Sequence, residues 1–252
     1  MNLWSDLPCP TIFAHRGASA KAPENTLSAF QRALDEGANA IEFDVKLSAD
    51  AEVVIIHDRT IDRTTNGKGR VDELPLAALR ELDAGSWFGD TFRGEKIPTL
   101  EETFEAFGGR LYMNVELTNY ATPNDSLVKE VTRLVNRHGM KEQVLLSSFL
   151  PSNLEQAEHL APNVPRGLLV PALWHGRRAW KGGWQKDDYQ AVHPFFLDVS
   201  PGRISKAHSQ GLRVHVYTVN WGSAMHWLLH WGVDGIITDQ PSKALRLVRN
   251  RS

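Results

Sequence analysis

The chain has 252 residues, enough to bury a sizeable core in one domain and short of what two average domains need. Its 28 Lys and Arg against 30 Asp and Glu leave a net charge of −2, with no long basic run to track phosphates along a nucleic acid, which argues against that class of partner. A single cysteine, Cys9, excludes an intrachain disulfide framework and a cysteine-only zinc site and fits a reducing compartment. No signal-like N-terminus and no 18-residue apolar run occur, so the expectation is a cytoplasmic protein without stable membrane insertion.

Short apolar runs alternate with segments of helical period, with no linker or composition break, which predicts one α/β domain over residues 1–252. A strand is expected at 11–15, then a helix on which Leu27, Phe30 and Leu34 share a face, with Asn25 as its cap and Gly37 at its end. The next strand, 40–45, is followed by a link far too short for a parallel crossover. Residues 46–56 therefore read as an antiparallel hairpin whose returning arm brings His57 and Asp58 back toward Glu42 and Asp44. The glycine-rich stretch 59–98, with one short helix near 76–82, reads as covering one side of the site, so that an insertion spans about 46–98. Further on, strands are expected at 111–118, 144–149, 166–170, 195–199, 214–219 and 235–239, and helices at 99–107, 126–138, 152–160, 204–209 and 223–231. Eight parallel strands in a chain of this length fit a single (β/α)8 TIM barrel, with the hairpin and the insertion lying between its second and third strands.

The candidate site follows from alternation. In the second strand Ile41, Phe43 and Val45 alternate with Glu42 and Asp44, so packing the apolar set under helices turns both carboxylates inward. In the third, Met113, Val115 and Leu117 alternate with Asn114, Glu116 and Thr118, which adds a third inward carboxylate from the adjacent strand. Buried carboxylates need partners, and three oxygen ligands suit one divalent cation, Mg²⁺ or Ca²⁺, better than Zn²⁺. His15 and Arg16 stand at the end of the first strand, where barrel enzymes carry their chemistry, and His57 arrives from the hairpin. Two imidazoles and a guanidinium around a cation are suited to acid–base attack on a phosphate. Tyr217 shares a strand face with His215 and is expected to line the barrel. Trp180 lies among the tryptophans of 174–184 and is a candidate wall for a substrate's alcohol or lipid part.

These residues carry a resemblance. His15-Arg16-Gly17, Pro23-Glu24-Asn25-Thr26, Glu42-Phe43-Asp44-Val45, His57-Asp58, Arg63-Thr64-Thr65-Asn66-Gly67, Ile97-Pro98-Thr99-Leu100, Asn114-Val115-Glu116, Ser147-Ser148-Phe149, Thr218-Val219-Asn220 and Gly235-Ile236-Ile237-Thr238-Asp239 occur in this order over nearly the whole chain. The ordered set resembles the glycerophosphodiester phosphodiesterase family. The resemblance implies hydrolysis of a small-molecule glycerophosphodiester to glycerol 3-phosphate and an alcohol, with Glu42, Asp44 and Glu116 on the metal, His15 and His57 in acid–base work and Arg16 on the phosphate. Lysophospholipase D-like cleavage and a catalytically silent phosphodiester-binding barrel are the competing readings. One departure is visible: many relatives carry lysine two residues after the third metal carboxylate, where this chain has Thr118, and Lys46 or Arg213 are the candidates for the missing charge.

Overall fold

The computed structural model describes residues 7–172 and 189–250. Eight parallel strands close on themselves: β1 (Thr11–His15), β2 (Ala40–Leu47), β4 (Tyr112–Leu117), β5 (Val144–Ser148), β6 (Arg166–Val170), β7 (Ala191–Pro194), β8 (Arg213–Val216) and β9 (Gly235–Thr238). β9 pairs with β1, and β1 with β2, which completes a TIM barrel. A ninth strand, β3 (Val53–Ile55), stays outside and runs antiparallel to β2, with Val45 opposite Ile55 and Leu47 opposite Val53. This is the predicted hairpin.

The helices between strands are α1 (Leu27–Asp35), α2 (Leu76–Glu81), α3 (Leu100–Phe107), α4 (Leu127–Arg137), α5 (Pro151–Leu160), α6 (Pro201–His208), α7 (Gly222–His230) and α8 (Pro241–Arg249). In α4, Leu127, Val128, Val131, Leu134 and Val135 are buried, a stripe with the period of a helix laid on a sheet. Trp227 and Trp231, four residues apart, lie with ring centroids 4.4 Å apart and pack on the apolar layer under α7. Among the described residues no helix is long and apolar enough to cross a membrane.

Three expectations are corrected. The cap of α1 is Thr26, whose Oγ1 accepts from the Ala29 amide, because Asn25 takes a left-handed φ of +59° and turns its side chain into the barrel. The strand sought at 195–199 lies earlier, at Ala191–Pro194, and Phe196–Asp198 is a 3-10 turn. Pro194 lacks an amide to donate, yet its carbonyl accepts from the Tyr217 amide, so it can end a barrel strand. Helix α8 was not foreseen; it starts at Pro241 and buries Ala244. The segment 174–184, with Trp180, lies outside the described residues.

The insertion has an apolar core of its own. Val53 and Ile55 of β3 face the layer between barrel and helices, while Val54 and Ile56 face Ile61, Val71, Leu79, Ala84 and Ile97. β3 is therefore apolar on both faces, which its three-residue sequence alone could not assign to either.

Low in the barrel, His193 and His215 are fully buried with ring centroids 5.1 Å apart. Gly167 and Gly235 make their room: a Cβ at either glycine would come within 2.6 or 2.8 Å of the facing imidazole. Burial pushes the His193 pKa down to about 3 and the His215 pKa well below the ordinary range, so both rings are neutral in the folded protein. In the unfolded chain they titrate near 6.5. The folded state therefore keeps their full contribution above that pH and loses stability as pH falls below about 6.5, for His193 down to about 3. The expected outcome in thermal melts from pH 7 to 4 is a steep acid limb that becomes shallower in His193→Gln; an unchanged slope would contradict the account.

Candidate active site

Residues on β2 and β4 face each other in three inward pairs. Glu42 is opposite Asn114 and Asp44 opposite Glu116; two residues further along each chain, Lys46 meets Thr118. Ligand atoms of Glu42, Asp44 and Glu116 all lie within 4.8 Å of one another; Glu42 and Asp44 are buried and Glu116 is partly exposed toward the mouth. The alternation read from sequence thus brings together the expected triad.

Arg16 closes one side. It follows β1 with φ +55°, a conformation costly for a side-chain-bearing residue, and its amide donates to the Glu42 carbonyl at 2.7 Å and toward Glu42 Oε2 at 3.2 Å. Gly17 follows with φ +84°, and a Cβ there would meet the Ala29 backbone at 2.6 Å, so the turn requires glycine. Arg16 Nη1 donates to Glu24 Oε1 at 2.7 Å, and Nε lies 3.2 Å from Asp44 Oδ2, an ion pair off-line for a hydrogen bond. Asn25 Nδ2 donates to the same Asp44 oxygen at 3.0 Å, and the Tyr120 hydroxyl donates to Glu116 Oε1 at 2.8 Å.

The three carboxylates do not share one electrostatic fate. Burial acts to raise Asp44, but Arg16, His57 and the Asn25 amide hold it below the usual carboxylate range. Burial together with repulsion from Asp44 raises Glu42 well above that range and pushes Glu116 up to about 8. The set is all-oxygen, crowded and short of positive charge, which fits a hard divalent cation.

Each histidine is held by a carboxylate. His15 Nδ1 is 2.5 Å from Asp239 Oδ1, and its Nε2 lies 3.9 Å from Glu42 Oε2. Asp239 also accepts from Asn220 Nδ2 at 2.5 Å. His57 Nδ1 is 2.6 Å from Asp58 Oδ1, and the Ile56 amide next to it donates to the Asp44 carbonyl, so the hairpin sets His57 beside the triad. Because a carboxylate accepts, each Nδ1 donates and each Nε2 is left for a ligand.

Two cavities meet at His57. One of about 220 Å³ lies over the barrel axis and is lined by His15, Arg16, Glu42, Glu116 and His57, with Phe149, Leu169 and Tyr217 as its apolar wall. A second of about 450 Å³ opens on the outer side of His57, between Lys46, Leu47, Val71, Tyr120 and Ala121. Tyr217 lines the first as expected, its hydroxyl donating to the Val170 carbonyl at 2.8 Å. Lys46 Nζ donates to the Thr118 carbonyl at 2.7 Å and hydroxyl at 2.9 Å, and has no ion pair among the described residues. Arg213 starts β8, at the end of the barrel away from the site, and does not reach it. Asp239, Asn220, Glu24 and Tyr120 were missed as site residues, although the first three sit inside the ordered motifs.

The glycerophosphoryl diester phosphodiesterase family model matches residues 15–243. A glycerophosphodiester phosphodiesterase of Caldanaerobacter subterraneus is 36% identical over 94% of this chain and 97% of its own. A probable glycerophosphodiester phosphodiesterase 1 of Mycobacterium tuberculosis is 53% identical over 93% of this chain and 90% of its own. The structure of an Oleispira antarctica phosphodiesterase in complex with the product sn-glycerol 3-phosphate superposes with a TM-score of 0.88 at 31% identity, covering 99% of this chain and all of that one.

Glu116 is pushed up to about 8 and Glu42 is raised in the same direction, so a cation taken up by the cluster would displace protons. Affinity for Mg²⁺ or Ca²⁺ is expected to weaken as pH falls from 8 to 6, by about tenfold per pH unit for each proton displaced. Calorimetry in two buffers of different ionisation enthalpy should show net proton release at pH 7; none would contradict the assignment. With its site geometry and these relatives, the chain belongs to the glycerophosphoryl diester phosphodiesterase family.

Proposed function

We propose that the protein hydrolyses glycerophosphodiesters to sn-glycerol 3-phosphate and an alcohol, with Glu42, Asp44 and Glu116 holding one divalent cation and His15 and His57 as the acid–base pair. The observation that carries this is the pair of imidazoles, each anchored through Nδ1 at 2.5 or 2.6 Å, flanking one cavity above three clustered carboxylates. A silent binding barrel has no use for two such oriented bases. When bound, the cation supplies Lewis-acid polarisation of a phosphoryl oxygen.

The chain's own groups then divide the work. Arg16 keeps Nη2 for the phosphate, its other nitrogens being taken by Glu24 and Asp44. Lys46, half-buried above the carboxylates without an ion pair among the described residues, supplies the charge that Thr118 does not. The glycerol moiety occupies the smaller cavity beside His15, and the alcohol leaves into the larger one beyond His57. His15 takes the proton of the attacking oxygen as its bond to phosphorus forms. His57 gives a proton to the departing alkoxide as the second P–O bond breaks. The product-bound Oleispira antarctica relative supports the substrate class. Cleavage of lysophospholipids rests on the 174–184 tryptophans, and no described residue favours it. A cytoplasmic location fits a soluble substrate of this kind.

The test is release of glycerol 3-phosphate from glycerophosphocholine in a coupled assay, lost on chelation and restored by Mg²⁺ or Ca²⁺; full turnover after exhaustive chelation refutes the cation. His15→Ala and His57→Ala should each lower kcat by roughly 10² to 10⁴. A p-nitrophenyl leaving group needs little protonation, so it should rescue His57→Ala far more than His15→Ala, and equal rescue contradicts separate roles. Lys46→Met should lower kcat/KM by about ten- to a hundredfold, the range for one charge-assisted hydrogen bond. Adding Thr118→Lys returns an ammonium to the same pair and should recover much of the loss.

A further inference from the structure

The motif Arg63-Thr64-Thr65-Asn66-Gly67 touches neither the carboxylates nor the smaller cavity, yet it reaches the site through one side chain. Thr65 Oγ1 donates to the Ile61 carbonyl at 2.8 Å and accepts from the Gly67 amide at 3.0 Å, and Asn66 Oδ1 accepts from the Asp83 amide at 2.9 Å. This turn, anchored on buried Ile61, presents Arg63. Its guanidinium is shared between two carboxylates. Nε donates to Asp58 Oδ2 at 2.7 Å and Nη2 to Asp58 Oδ1 at 3.1 Å, while Nη1 and Nη2 donate to the two Glu24 oxygens at 2.7 and 2.8 Å.

The chain of contacts is unbroken in both directions. From Arg63 through Asp58 it ends on His57 Nδ1. Through Glu24 it runs to Arg16 Nη1 and on to Asp44. Asp58 is the neighbour of His57 in sequence, so without Arg63 it could rotate into solvent, and the imidazole would lose the acceptor that selects its Nδ1–H form. A planar fork serving two carboxylates at once is a task for arginine and not for lysine.

We infer that Arg63 is a positioning residue for His57: it locks Asp58 against the imidazole and, through Glu24, fixes that imidazole relative to Arg16 and the carboxylate cluster. The inserted segment is then part of the catalytic apparatus and not only a cover. The inference rests on the role proposed for His57.

The experiment is a double-mutant cycle on the full chain with glycerophosphocholine and saturating Mg²⁺. Arg63→Gln is expected to lower kcat by roughly 10- to 100-fold, as for other residues that orient a site group, with KM and Mg²⁺ affinity unchanged. Arg63→Lys should recover only part of it, and Asp58→Asn should reproduce the loss. In a His57→Ala background Arg63→Gln should cost nothing further, because the group it orients is gone. Arg63 is half exposed and its replacement should leave the melting temperature nearly unchanged. The same fold-loss in both backgrounds would overturn the inference in favour of an effect through Arg16 or the fold, as would no loss in either. An unaffected kcat in His57→Ala alone would instead remove the proposed role of His57, and the inference with it.

Discussion

Three carboxyl groups held within 4.8 Å of one another in a closed barrel are the constraint to which the rest of the molecule answers. Each ion taken out of water costs several kcal/mol after relaxation, and the mutual repulsion adds to that. The strands around them supply what a protein can: the Arg16 guanidinium on Asp44 and Glu24, the Asn25 amide on Asp44, the Tyr120 hydroxyl on Glu116. Two of these, Arg16 and Asn25, have positive φ, so backbone strain is accepted where it aims a donor at Asp44. What remains uncompensated raises Glu42 and Glu116 above the usual carboxylate range, and the same crowding of negative charge suits the cluster to a divalent cation.

The same side-chain type plays opposite parts at two heights in the barrel. His193 and His215, low on the axis, are kept neutral by burial and fill space left by Gly167 and Gly235. His15 and His57, at the strands' C-terminal end, are each given a carboxylate and a route to solvent. Burial with a facing glycine makes a histidine a packing residue; a carboxylate on Nδ1 fixes the tautomer and leaves Nε2 open to a ligand. The fold therefore separates a dry floor from a charged mouth along one axis.

What was legible in the sequence was whatever a single strand or turn could express. Alternation along β2 and β4 gave the inward carboxylates, and the short link after β2 gave the antiparallel return to His57. What stayed hidden was pairing across closure. Asp239 anchors His15 over a separation of 224 residues, because β9 and β1 become neighbours only when the barrel closes. Glu24 and Arg63 meet across 39 residues because the insertion folds back over α1, and neither has a periodic signal to announce it. Asn25 reads as a helix cap by residue type, and its diversion to Asp44 became visible only with the turn at Arg16. Strand β7 was sought too late because the apolar run Phe195-Phe196-Leu197 reads as a strand, whereas the strand ends at Pro194 and the chain turns there.

The hairpin explains why the second imidazole comes from where it does. A parallel barrel strand delivers its C-terminal residue to the mouth and then leaves for a helix, so it offers few positions beside its own carboxylates. An antiparallel return brings a second chain segment down the outside of the same strand. Its register then decides everything: Val45 opposite Ile55 places the Ile56 amide on the Asp44 carbonyl and His57 one residue beyond. A slip of one residue would turn β3 over, putting Val54 and Ile56 toward the helices and Val53 and Ile55 toward the insertion, and would point His57 away from the cavity. Both faces of β3 are apolar, so that exchange would cost little in burial by itself. The backbone pins the register instead: the Ile56 amide on the Asp44 carbonyl, the Ile55 amide on the Pro98 carbonyl and the Ser48 amide on the Glu52 carbonyl at the turn hold β3 in place, which leaves the half-exposed ion pairs of Arg63 to act on the side chains of Asp58 and Glu24 and not on the strand.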